Sequence, residues 1–416
     1  MNTLIFHVDV NSAFLSWEAS RRVSSGQPDL RLIPSCVSGD PSRRTSIVLA
    51  KSIPAKKFHV KTGESIGSAL RKCPDLTIVE PDFTLYAKCS KAFKDICREY
   101  APVVEEFSID ECFLDMTGTS LIYPDPIATA HEIKDKIREE LGFTVNIGVG
   151  SNKLLAKMAG DFQKPDKVHT LFREEIPEKM WPLPVTKLLY CGEATAAKLY
   201  QNQIKTIGQL AESDQERVQQ ILGQKIGKQM HDFANGIDPS PVKEQAEEAK
   251  GYSIATTTEE NVTSLEQADQ ILLALVDSVA SHMRREGRRT LCISVSIRYT
   301  DFKNRSHQRT LDSATDITAE IYQITRELLR ELWDGHTPLR LMGVGLSDVT
   351  REDYSQMTLF PEDARLKEKE QKVDQAVDSL RERFGRDIIQ FGSTMNVSGR
   401  VGRKYKEKME FEQKKI

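Results

Sequence analysis

The chain has 416 residues, too many for one ordinary domain, and its 39% apolar and 29% charged content suits a globular protein of about two to four domains. No apolar run approaches the roughly 18 residues of a transmembrane helix and no leader-like segment precedes the first apolar stretch. Seven cysteines without a C-x-x-C pair read as reduced thiols, so a cytoplasmic location is expected, and a net charge of only −3 means that any nucleic-acid surface has to come from segregated charge.

Residues 3–10 read as a buried strand interrupted by one acid, Asp9, and 11–24 as a helix with Asn11 or Ser12 as N-cap. Short apolar runs at 31–37 and 46–50 flank the turn residues Gly39-Asp40-Pro41-Ser42. Lys51 to Thr62 is basic, Ser65 to Lys72 is helical and stops before Pro74, and Leu76 to Val79 is a strand. A helix over 86–100 leads into a strand at 104–115 that carries the adjacent acids Asp110 and Glu111. A helix at 127–141, a strand at 144–150 and a helix at 152–162 follow.

Between 166 and 240, short helices are joined by glycine-containing turns. The stretch 189–210 resembles a helix-hairpin-helix unit, whose turn amides hold a DNA phosphate, although its turn reads Tyr190-Cys191-Gly192-Glu193 where that unit usually has P-G-[IV]-G. An ordinary small helical domain fits the same stretch equally well. Residues 241–250 are charged, carry Pro241 and have the composition of a linker. Beyond it come a helix at 265–285, a strand at 290–299 that alternates apolar and polar residues, a helix at 316–333 and a strand at 341–347. From Ser281 to Thr310 eight Lys and Arg face two acids, a local net charge of +6. Residues 348–416 read as a polar tail with one helical segment near 365–384, otherwise mobile.

Two features carry chemistry. Asp110 and Glu111 sit side by side among β-forming residues, where like charges repel and burial penalises both. Asp9 interrupts a second apolar strand. A divalent cation relieves such a cluster; hard Mg²⁺ prefers carboxylate oxygens, and two ions clamp the attacking and leaving oxygens of an in-line phosphoryl transfer. Plainer readings stand beside this one: Asp9 as a cap for the next helix, and Asp110-Glu111 as a solvent-facing pair on an edge strand.

With Ser108-Ile109-Asp110-Glu111, four further motifs in matching order make the chain resemble the Y-family of translesion DNA polymerases, between the polymerase IV and UmuC types. They are Val8-Asp9-Val10-Asn11-Ser12-Ala13-Phe14, the fingers-like Pro54 to Gly63, the stretch Gly148 to Ala159, and Gln163-Lys164-Pro165. The resemblance spans about residues 1–350 and implies an α+β multidomain right hand. Its parts would be a ferredoxin-like palm (1–22 and 76–165), small fingers (23–75), a helical thumb (166–240), the linker (241–250), a β-α-β-β-α-β little finger (251–348) and a polar tail (349–416).

It further implies a low-fidelity, distributive polymerase that adds a dNTP to the 3′-hydroxyl of primer-template DNA. Asp9, Asp110 and Glu111, with the Val10 carbonyl, would hold two Mg²⁺ ions. Phe14, five residues after Asp9, would be the steric gate against ribonucleotides. Lys56 and Lys164 would contact the triphosphate. Arg298, Arg305 and Arg309 would lie along the DNA backbone. Gln356-Met357-Thr358-Leu359-Phe360 resembles the bacterial sliding-clamp motif Q-x-x-L-F, with Gln356, Leu359 and Phe360 as the contacts. Two departures stand out: Ile53-Pro54-Ala55-Lys56 replaces the Tyr-x-x-Arg of polymerase IV, and Asn11 replaces its Asp, as in the UmuC type, which would imply an accessory subunit. The rivals are a nucleotidyl cyclase, which has no use for a thumb, a basic domain or a clamp motif, and a DNA-binding protein that has lost catalysis, against which all three acids argue.

Overall fold

The computed structural model describes residues 3–244, 248–351, 361–385 and 388–394. The described residues form two compact units, one of residues 3–41 and 46–244 and one of residues 42–45 and 248 onward.

The first unit begins with β1 (Ile5–Val10), α1 (Ala13–Ser24), β2 (Ser35–Val37), β3 (Ala50–Lys51), α2 (Ile53–Lys57), α3 (Ile66–Lys72), β4 (Thr77–Val79) and α4 (Phe83–Tyr100). It continues through β5 (Val103–Glu106), β6 (Glu111–Asp115), α5 (Pro126–Leu141), β7 (Val145–Gly150), α6 (Lys153–Gly160) and β8 (Val168–Leu171) to the short helices α7 (Glu193–Gln201), α8 (Ile207–Ala211), α9 (Gln215–Leu222) and α10 (Gln224–Ala234). The main sheet has the order β5-β6-β1-β7-β8, and a smaller one has the order β3-β2-β4. Where one strand was expected at 104–115, the chain makes two, β5 and β6, paired antiparallel. Asp110 therefore lies in their connection and not in a strand interior, which spares a charged side chain a place in the ladder.

Strand β1 is buried throughout, but its two faces differ. Phe6, Val8 and Val10 join the main core with Trp17 of α1, Phe93 and Cys97 of α4, and Ile133 and Ile137 of α5. By alternation, Ile5, His7 and Asp9 point to the other face. Their cross-strand partners share that face: Asp115, Phe113 and Glu111 on β6, and Gly150, Gly148 and Asn146 on β7. Helix α6 lies against β7 there. A Cβ on Gly148 would fall 1.9 Å from the Ala156 carbonyl oxygen and 2.4 Å from the Gly160 nitrogen; one on Gly150 would fall 2.7 Å from the Ala156 nitrogen. The Gly-x-Gly of this strand thus lets a helix backbone touch it directly. Gly148→Ala is expected to cost at least about 3 kcal/mol in chemical denaturation, because the obstructing atoms are backbone. A wild-type denaturation midpoint would show that α6 can move off the strand freely.

The second unit comprises β9 (Gly251–Val262), α11 (Leu265–Arg285), β10 (Arg289–Tyr299), β11 (Asn304–Thr315), α12 (Thr318–Leu332), β12 (Leu339–Thr350) and α13 (Pro361–Phe384). Its antiparallel sheet has the order β11-β10-β12-β9. The apolar face, with Ile293, Val295, Ile297, Met342 and Val344, packs on α11 and α12. This is the β-α-β-β-α-β order that the resemblance implied. Residues 361–384, part of the tail expected to be mobile beyond one helical segment, form a docked helix. Its Asp374 and Asp378 pair with the buried Arg284 of α11 at 3.3 and 2.7 Å, and its Arg381 pairs with Asp277 at 2.8 Å.

Candidate active site

Sheet register brings the expected acids to one end of the main sheet. Asp9 stands directly opposite Glu111 in the β1–β6 pair, and the Val10 N–H donates to the Asp110 carbonyl at 3.0 Å. Asp110 in turn accepts a 2.7 Å hydrogen bond from the Ser108 hydroxyl.

Asp9 and Glu111 are each matched to a cation. Lys164 donates to Asp9, and also to Asp161 at 2.8 Å. Lys157 of α6 donates to Glu111, and the His7 ring reaches the same carboxylate oxygen at 2.9 Å. Because a carboxylate only accepts, His7 Nε2 carries a proton toward it, and burial pushes the pKa of the ring down against the pull of Glu111. Burial also raises the Asp9 carboxyl above its ordinary value, against the pull of Lys164. Burial acts the same way on Glu111, but the hydrogen bonds from His7 and Lys157 outweigh it and hold the pKa at about 2. The stability that those bonds supply is present at neutral pH and is lost as the pH falls from the ordinary carboxylate range through about 2. Burial would lower the Lys164 ammonium, yet Asp9 and Asp161 raise it.

With Asp9 turned to Lys164 and Glu111 to Lys157 and His7, no three His, Cys, Asp or Glu side chains are gathered at metal-binding spacing among the described residues. The donor set still suits a hard divalent cation. It consists of carboxylate oxygens, and the Asp9 carboxyl is raised by burial even with Lys164 beside it, so its charged form gains from a further cation.

Pattern reading did not single out His7, Lys157 or Asn146. His7 shares the face of Asp9 by simple alternation, and Lys157 follows Lys153 by one helical turn, so both signals were available. Asn146 is buried and ties together what surrounds Lys164. Its amide donates to the Gln163 and Gly160 carbonyls at 2.7 and 3.1 Å and its oxygen accepts from Asn11 at 3.1 Å. Asn11 accepts in turn from the Asp166 N–H at 3.0 Å. An amide at position 11 both donates and accepts in this network, which a carboxylate could not do.

Phe14, in the first turn of α1, is half-buried and stacks on Tyr86 with centroids 4.6 Å apart and planes 15° apart. Lys56 is exposed on α2; Lys51 has its pKa lowered by burial and then by the Lys56 charge. In the second unit the register separates the three arginines. Arg305 and Arg309 lie opposite Ile297 and Ile293, on the helix side of the sheet, and Arg309 pairs with Glu327 and Glu331 of α12 at 2.6 and 2.8 Å. Arg298 lies on the open face, with Ser294, Ser296, Ser306, Gly343 and Gly345. Gln356, Leu359 and Phe360 lie outside the described residues. No described helix is long and apolar enough to cross a membrane.

The chain matches the model of the impB/mucB/samB family over residues 8–161, that of the family's C-terminal domain over 249–359, and that of a DNA polymerase-iota thumb domain over 191–238. It is 40% identical to a DNA polymerase IV of Clostridium acetobutylicum, over 94% of this chain and 97% of the relative. It is 36% identical to a DNA polymerase IV of Clostridium kluyveri, over 96% of this chain and 100% of the relative. Among solved structures it is similar in fold to a Y-family DNA polymerase chimera of Dbh and Dpo4, at a TM-score of 0.71 and 22% identity over 84% of this chain and 100% of that one.

Proposed function

The chain belongs to the impB/mucB/samB family of Y-family DNA polymerases and is a DNA-directed DNA polymerase, and on that premise we propose how its residues divide the work of translesion synthesis. Asp9, Asp110 and Glu111, with the Val10 carbonyl, hold two Mg²⁺ ions. The observation that carries this reading is the register that sets Asp9 against Glu111, with the Asp110 backbone tied to Val10. When bound, the ions supply Lewis acidity that lowers the pKa of the primer 3′-hydroxyl and neutralises the departing pyrophosphate.

The chain's own residues do the rest. Lys164, already charged at the edge of the site, offers its ammonium to the triphosphate, and Lys56 does so from α2 as a point charge in place of an arginine fork. The Asn11–Asn146 network fixes the backbone on either side of Lys164. Phe14 places a flat ring where the sugar of the incoming nucleotide would carry a 2′-hydroxyl. Lys157 and His7 keep Glu111 ionised and oriented.

The open face of the second sheet takes the DNA backbone. Its serines and glycines leave a low, polar surface and Arg298 adds charge, whereas Arg305 and Arg309 stand on the helix side, away from it. Contacts of this kind carry no sequence information and weaken with salt, which suits a distributive enzyme of low fidelity. The working location is the cytoplasm.

Recruitment by a bacterial sliding clamp falls to Gln356, Leu359 and Phe360. A tether raises the effective concentration of such an enzyme at the primer end without new contacts to the bases. Replacing both Leu359 and Phe360 by Ala is expected to leave basal extension intact and to remove stimulation by a clamp loaded on a primed circle. Equal stimulation of the wild type and the double variant would exclude the motif. If an accessory subunit is required, as the UmuC-like Asn11 would suggest, the purified chain alone will stall at damaged templates that it passes when the subunit is added.

A further inference from the structure

Glu18 of α1 is fully buried, one helical turn beyond Phe14 on the same face. Its two carboxylate oxygens are both used. One accepts from the Tyr86 hydroxyl at 3.0 Å and the other from the Arg21 guanidinium at 2.5 Å. Arg21 also reaches Asp82, the N-cap of α4, at 3.4 Å. Burial and then the Glu18 carboxylate push the Tyr86 hydroxyl far above its ordinary pKa, so it remains a donor. The Tyr86 ring, itself fully buried, is the one on which Phe14 stacks, while Phe83 meets Phe14 edge-on at 6.0 Å.

Glu18 is buried but its partner Arg21 is about half exposed, and a pair that strips water from a carboxylate in this way is a weak source of stability. A carboxylate placed under the aromatic platform of a ring that has to stop a 2′-hydroxyl has another use. Discrimination by a steric wall depends on the wall's not yielding. A stacked pair alone leaves Phe14 free to slide along the face of Tyr86. A hydrogen bond to the far end of Tyr86 removes the tilting of the platform.

We propose that Glu18 is a positioning residue for sugar discrimination: through its hydrogen bond to Tyr86 it fixes the ring that backs Phe14, and so sets how firmly ribonucleotides are refused. The proposal rests on the reading of Phe14 as the gate.

The test measures kcat/KM for a ribonucleotide and its matching deoxyribonucleotide, with the melting temperature of each variant. Glu18→Leu and Tyr86→Phe are expected to raise the ribonucleotide-to-deoxyribonucleotide ratio about tenfold, the scale of one charge-assisted hydrogen bond. Glu18→Gln keeps an acceptor for Tyr86 and should restore a ratio near that of the wild type. A merely structural role predicts lower melting temperatures with the ratio unmoved. Wild-type ratios in folded Glu18→Leu and Tyr86→Phe, alongside a raised ratio in Phe14→Ala, would overturn the proposal and leave the gate intact. An unmoved ratio in Phe14→Ala would defeat the gate itself. If Glu18→Leu does not fold, Tyr86→Phe, which removes a single oxygen, decides the matter.

Discussion

Glu111→Ala and Asp110→Ala are each expected to lower single-turnover nucleotide addition by about a thousandfold or more, with DNA affinity within a few fold of wild type. The magnitude is that of removing a charge-stabilising group from a water-poor catalytic site. The separation follows from geometry. Both acids sit at one end of the main sheet of the first unit, and DNA affinity is carried mostly by cations and backbone contacts. Glu111→Ala also strips Lys157 and His7 of their shared acceptor, so Glu111→Gln is the informative companion: it keeps an oxygen for both and loses only the charge. Addition at near wild-type rate by Glu111→Gln would mean that the carboxylate is structural. Rapid-quench extension of a labelled primer, with anisotropy for DNA binding, measures both quantities.

Phe14→Ala is expected to raise ribonucleotide incorporation relative to deoxyribonucleotide roughly a hundredfold, the upper range for a steric pocket. The competing view, a Phe that only fills space beside Tyr86, predicts lost stability and unchanged sugar choice. The structure gives that view some weight, because one face of the ring is stacked and the side chain is half-buried. A fully buried Phe costs about 3–5 kcal/mol on truncation, so a smaller loss is expected here. The two effects are separable: thermal melting reads the packing, and competition between rATP and dATP opposite a template thymine reads the gate. Unchanged discrimination in a folded variant would assign Phe14 to the core.

The parts of this fold that could be read from the sequence were those with a strong period or a fixed chemical signature. Strands β1 and β7 are apolar enough to stand out, and α11 shows its buried stripe at helical spacing. Strands β9 and β11 did not stand out. They are the two edges of their sheet, and β11 is exposed along most of its length, so its Asn-Arg-Ser-His-Gln-Arg-Thr run carries no alternation to detect. The full order of the second unit came from the family resemblance and not from pattern. The meeting of Asp9 with Glu111 is a matter of register between strands some hundred residues apart, which no local rule supplies. The same limit hid the cations. Lys157 looks like a surface lysine until the sheet brings Glu111 beneath it, and Lys164, singled out by its motif, gave no sign of its pairing with Asp9. Among the arginines, only register distinguishes Arg298 on the open face from Arg309 beside the acids of α12.

Asp9, Asp110 and Glu111 are proposed to form a two-ion site. It is tested most directly by counting bound Mn²⁺, by electron paramagnetic resonance, on the full chain held with a dideoxy-terminated primer-template and the matching dNTP. Two ions are expected in the wild-type complex, and a loss of at least one in Asp9→Ala and in Glu111→Ala, with DNA still bound. Two ions retained at wild-type affinity by both variants would contradict it.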